Sequence, residues 1–115
     1  MSEQRPWLAH YPAGVPAEID LDEFASITDV FDAALLKYRD KPAFTNMGKT
    51  LSYADLDRLS RDFAGYLLGE LKLKKGDRVA IMMPNVLQYP VAIFGVLRAG
   101  LTVVMEAVMR TIGAW

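Results

Sequence analysis

Gly48-Lys49-Thr50 is the triplet that closes a phosphate-binding loop, in which backbone N–H groups and a lysine hold a polyphosphate. The loop also needs a glycine five residues earlier, where this chain has Ala43, and it must open a helix so that free N–H donors face the anion. Here the triplet falls between two strand-like runs, so a turn is expected. His10 is the single histidine, and no acid or nucleophile stands at a spacing that pairs with it. Asp20, Asp22 and Glu23 are hard-oxygen ligands of the kind Mg²⁺ takes, but no glycine-closed loop sets their geometry, and a solvated acidic stretch is the expectation. Lys72, Lys74 and Lys75 form a basic turn flanked by Glu70 and Asp77, without the aromatic platform that single-stranded nucleic acid stacks upon. Met82, Met83 and Met105 have apolar neighbours and read as core fillers rather than metal ligands. These residues give no catalytic, cofactor-binding or metal site.

Composition narrows the field further. The chain has 115 residues, 52% of them hydrophobic, with 13 Lys+Arg against 14 Asp+Glu for a net charge of −1, and no cysteine. A compact chain of this length buries roughly 60–70% of its unfolded surface, enough for one modest core. Balanced charge supplies no field for nucleic acid or an anionic bilayer. Without cysteine there are no disulfides, thiolate nucleophiles or cysteine-ligated metals, which fits a reducing compartment. Charges and prolines in MSEQRPWLAHYPAGV replace the apolar run of a secretory signal. A cytoplasmic chain is expected, with peripheral membrane association left open.

The elements around these residues are legible as an α/β pattern. Residues 1–25 hold Pro6, Pro12, Gly14 and Pro16 and no sustained period, so they predict an extended arm. Val30, Phe31, Ala34, Leu35 and Tyr38 follow helical spacing, with Thr28 as N-cap and Pro42 as stop. Ala43–Met47 and Thr50–Tyr53 predict a hairpin around Gly48. Ser52 and Asp55 resemble a capping box opening a helix to about Leu71, with Leu56, Leu59, Phe63, Tyr66 and Leu67 on its inner face. Gly65 and Gly69 each cost that helix about 1 kcal/mol relative to Ala, which suggests a close helix contact. Arg78–Met83 reads as a strand, Val86–Ala99 as an apolar helix stopped by Gly100, and Leu101–Val104 as a strand, a βαβ crossover. Val79–Leu97 is also uncharged for the length of a membrane span, but Pro84, Asn85, Gln88 and Pro90 interrupt it and suit a strand-to-helix loop better.

In order along the chain, PWLAHYP, VPAEID, KPAFTNMG, LSYADLDRLSRDFAGYLL, LKKGDRVAIMMPN and LQYPVAIFGVLRAG resemble the start of bacterial long-chain fatty-acyl-CoA synthetases. These belong to the adenylate-forming, AMP-binding superfamily. The resemblance covers about Pro6 to Val104. It implies the N-terminal, βαβ-containing piece of a large adenylate-forming domain with an incomplete sheet: an arm over 1–25, the domain portion over 26–104 and a non-matching tail over 105–115.

For the complete family the resemblance implies a ligase that joins a long-chain fatty acid to coenzyme A through an acyl-adenylate, using ATP and Mg²⁺. The family's Ser/Thr/Gly-rich loop, Tyr-Gly-x-Thr-Glu segment, ribose-binding Asp and C-terminal lysine have no counterpart in these residues, so no site residue transfers and this chain alone is expected to be inactive and to bind none of those cofactors. After Val104 relatives continue with an Asn-Pro segment and a helix bearing Glu-Leu, whereas this chain reads MEAVMRTIGAW, and a truncated or rearranged coding sequence is expected. An uncovered strand edge and apolar helix would then be open to a protein partner, an intact ligase or a second copy, with no nucleic-acid partner. A small membrane-inserted protein using Val79–Leu97 is the remaining alternative.

Overall fold

The computed structural model describes residues 4–106. Most of the expected tail lies outside them. Its first residues do not: Met105 ends the last strand, and the backbone N–H of Glu106 donates to Ile81 O at 3.0 Å.

In the arm, Pro6–His10 forms a short 3₁₀ helix and the rest is irregular. Helix α1 (Ile27–Lys37) begins two residues before the expected start, because Ser26 and not Thr28 is the N-cap. The Ser26 hydroxyl accepts from the Asp29 N–H at 3.1 Å, which satisfies one of the donors a helix leaves free at its start. Strands β1 (Pro42–Asn46) and β2 (Lys49–Ser52) pair antiparallel. Met47 (φ 51°) and Gly48 (φ 79°) join them in a two-residue turn. Two successive left-handed residues match the twist of a tight hairpin, and glycine enters that region without a Cβ penalty.

Helix α2 (Tyr53–Gly69) follows directly, and its capping box is complete. Ser52 Oγ accepts from Asp55 N–H at 3.0 Å, and Asp55 Oδ2 accepts from Ser52 N–H at 3.2 Å. Leu56, Ser60, Ala64 and Leu67 lie buried along one side, while Tyr66, expected inward, is exposed. Strand β3 (Arg78–Ile81), helix α3 (Gln88–Arg98) and strand β4 (Thr102–Met105) form the βαβ unit. The two strands are parallel, with Arg78 opposite Thr102 and Ile81 opposite Met105. Gly100 (φ 75°) ends α3: its N–H donates to Leu97 O and that of Leu101 to Val96 O, the paired bonds of a left-handed helix stop.

The close helix contact exists, at a different glycine. A Cβ on Gly65 or Gly69 would meet nothing within 4 Å, whereas one on Gly95 of α3 would sit 2.6 Å from Phe63 Cδ1 and 3.1 Å from Ser60 O. Gly95 therefore lets α3 lie against α2. Around that contact Ala64, Leu67, Ile81, Ala92, Val96, Ala99 and Leu101 form the larger core. Phe31, Leu35 and Leu56 form a smaller one. Of the methionines expected as core fillers, only Met83 packs on the core; Met82, just past β3 on the side that nothing covers among the described residues, and Met105, at the end of β4, are exposed. No helix among the described residues is long and apolar enough to cross a membrane. The uncharged run Val79–Leu97 is divided between a strand, a loop and an eleven-residue helix.

Candidate functional site

Two places combine polar groups with shape. The first is a cleft of about 470 Å³ between the hairpin and the start of α3, with Phe44, Thr45 and Asn46 on one wall and Asn85–Leu87, Tyr89, Pro90, Ile93 and Phe94 on the other. β1 supplies the first wall. The second comes from the loop that Pro84 and Asn85 force at the end of β3 and from the first turns of α3. Asn46 Nδ2 donates to Asn85 O at 3.5 Å across it. Its lining has no carboxylate, ammonium, guanidinium or imidazole, so it offers shape and a few amide and hydroxyl contacts, but no group to move a proton near neutral pH.

The second place is a buried charge cluster on Asp57 of α2. Arg98 Nη2, from the last turn of α3, lies 2.7 Å from Asp57 Oδ1, and both side chains are largely shielded from water. Arg61 reaches the same oxygen at 3.0 Å, and Arg39 reaches Oδ2 at 3.3 Å. Arg98 Nη1 also donates to Asp57 O at 2.9 Å and to Ser60 Oγ at 3.1 Å, while Nη2 extends to Asp32 of α1 at 3.4 Å. The guanidinium lies 5.1 Å from the Phe31 ring centroid, and Phe31 stacks on Phe94 with centroids 3.9 Å apart. A single arginine thus ties three helices together. Burial alone would raise the Asp57 pKa; hydrogen bonds from Arg98 and Arg39 and the charges of Arg98 and Arg61 outweigh it and hold the carboxyl below the ordinary 3.8. Such a carboxylate is a poor general base, and it serves structure.

The sequence-stated candidates stay apart. His10 sits exposed at the end of the 3₁₀ helix. Gly48-Lys49-Thr50 lies in the hairpin, where Thr50 Oγ1 meets Thr45 Oγ1 at 2.9 Å, and no helix N-terminus receives it. Asp20 Oδ1 accepts from Asp22 N–H at 2.9 Å in a local turn. Among the described residues no group of three or more His, Cys, Asp or Glu could hold a metal ion. Lys74 N–H donates to Asp77 Oδ2 at 2.8 Å, which makes the lysine run the polar turn expected. The N-termini of α1 and α2, where an anion would bind, are occupied by their own Ser-Asp caps. The N-terminus of α3, by contrast, has no side-chain cap and borders the cleft.

Residues 31–107 match the family of AMP-binding enzymes. The chain belongs to that family. Among AMP-binding relatives, the long-chain-fatty-acid–CoA ligase of Yersinia pestis is 56% identical over 101 residues, covering 88% of this chain and 18% of the relative. The ligase of the same description from Bacillus subtilis (strain 168) is 36% identical over 111 residues, covering 96% of this chain and 20% of the relative. The crystal structure of a fatty acid AMP ligase from Legionella pneumophila superimposes with a TM-score of 0.66 at 28% identity, covering 76% of this chain and 16% of that one. The chain thus spans about a fifth of the length of the curated relatives it matches. Its fold is that of the N-terminal piece of an adenylate-forming domain, with two small sheets.

Proposed function

We propose that residues 6–104 are the N-terminal structural portion of a long-chain fatty-acyl-CoA ligase, and that this chain by itself does not activate fatty acids. The observation that carries the reading is the 56% identity to a long-chain ligase over 101 residues. In the complete enzyme a fatty carboxylate oxygen attacks the α-phosphorus of ATP and pyrophosphate leaves; the thiol of coenzyme A then attacks the acyl carbon and AMP leaves, giving the thioester. This portion's part is to hold the Asp57–Arg98 clamp and the βαβ unit in place. Support comes from a cleft without an acid or base and from an Asp57 saturated by three guanidiniums. The absence of cysteine fits the reducing cytoplasm as the place of action. An alternative role, docking on a partner, is favoured by one specific observation, the outer side of β3–β4, which is bare among the described residues.

The purified 115-residue chain, incubated with ATP, Mg²⁺, coenzyme A and a long-chain fatty acid, is expected to form neither acyl-adenylate nor acyl-CoA. Product retained through repurification and abolished by Tyr89→Ala in the cleft would overturn this reading.

A further inference from the structure

We propose that the cleft between the hairpin and α3 binds a neutral aliphatic molecule with a single hydroxyl or amide head, unlike the charged carboxylate, ATP and coenzyme A of the ligase reaction. The cleft is built before any ligand arrives. Pro90, Ile93 and Phe94 stand at i, i+3 and i+4 on α3, so one stripe of that helix lines it. Ile93 packs on the larger core and Phe94 on the smaller one, where its ring stacks on Phe31. Opposite them Phe44 and Asn46, two positions apart on β1, share a face. Phe44 is 41% exposed and belongs to neither core, so its ring is apolar surface that folding does not use. The volume of about 470 Å³ falls within the roughly 300–1,000 Å³ of small-molecule pockets, which are mostly apolar with a few placed polar groups.

Charge selects the occupant. The lining holds no carboxylate, ammonium, guanidinium or imidazole, so an ionised head would give up its water without gaining a counter-charge, whereas an alkyl chain leaves water favourably. The uncapped start of α3 presents only partial positive charge, roughly half a unit charge, which is short of what a buried carboxylate needs. The polar groups that are present suit one neutral head. Asn46 Nδ2 reaches Asn85 O at 3.5 Å, long for a hydrogen bond, and a hydroxyl or amide beside the pair can accept from the first and donate to the second at ordinary range without moving either.

The test titrates nitrogen–proton correlation spectra of the full 115-residue chain at pH 7 with 1-octanol, octanoate and octylammonium separately, each below the concentration at which it forms micelles. 1-Octanol is expected to saturate, with shifts confined to residues 44–46 and 85–94, the Asn46 and Asn85 side-chain amides included, and to bind at least ten-fold more tightly than either ion. Phe44→Ser and, in the loop and outside both cores, Val86→Ser should each weaken it at least three-fold with circular dichroism unchanged. Leu36→Ser, on the exposed side of α1, should leave the affinity alone. Either ion binding within ten-fold of 1-octanol, shifts spread over Ala80, Val104 and other exposed apolar residues in place of the cleft, or an affinity indifferent to both cleft variants would overturn the inference. None of these readouts involves acyl-CoA formation, so they succeed or fail independently of the assignment of residues 6–104.

Discussion

Arg98 concentrates more of the fold on one side chain than any other residue described. Its guanidinium bonds to the carboxylate and carbonyl of Asp57, to Ser60 and to Asp32, and covers the Phe31 ring. Removing one partner of a buried pair typically costs 3–5 kcal/mol. Arg39 and Arg61 would still face Asp57, so Arg98→Met should destabilise the chain by about 3 kcal/mol, at the low end, as read from urea unfolding. Arg98→Lys should recover little, because an ammonium cannot span the same set of acceptors. The depressed Asp57 pKa fixes a sign: its contribution is present above the unfolded value near 3.8 and is lost as pH falls through the lower folded value. Stability of the native chain should therefore drop below about pH 4. Asp55, also lowered, chiefly by the Ser52 backbone N–H, adds to the same acid limb, so the difference between native and Asp57→Asn profiles isolates Asp57. If the two acid limbs coincide, the clamp carries no such linkage. None of this was legible in the sequence. Asp57 and Arg61 stand at helical i,i+4 spacing, but Arg98 lies 41 residues from Asp57, and only the packing of α3 on α2 brings them together.

At the scale of elements, local signals were strong where the governing contact is local. The hairpin, the Ser52–Asp55 capping box and the Gly100 stop are each made by residues within a few positions of one another, and each was readable in place. Signals that depend on a distant neighbour misled. Gly65 and Gly69 sit on the outward side of α2, while the glycine that matters, Gly95, is identified only by what stands opposite it. Tyr66 fits a helical stripe but is left outside because Ser60 and Ala64 bring α3 in on a neighbouring line. Gly95→Ala would force its methyl against Phe63 and the Ser60 carbonyl. The backbone oxygen cannot swing away, so a loss of about 1–3 kcal/mol is expected. Gly65→Ala, in open space on a helix, should instead stabilise by up to about 1 kcal/mol. Thermal melts of the two variants check both directions. Ser52→Ala, which removes the cap, should cost about 1 kcal/mol.

The two cores meet through α3, and one side of the parallel sheet is bare among the described residues. Alternation along β3 and β4 was hidden in the sequence because Ala80, Met82 and Val104 are as apolar as the inward residues, the composition of strands covered on both faces. The chain alone should consequently melt broadly and associate with rising concentration; a sharp, concentration-independent melt of a monodisperse monomer would show that the uncovered face carries no such cost. The assignment of residues 6–104 to the start of a long-chain ligase is tested most directly by replacing the matching stretch of the Yersinia pestis relative with them and measuring acyl-CoA formation from ATP, coenzyme A and a long-chain fatty acid. The account predicts a rate within about ten-fold of the parent, a barrier change of at most about 1.4 kcal/mol. A graft that folds with the parent's circular dichroism and melting temperature yet forms no acyl-CoA would contradict it.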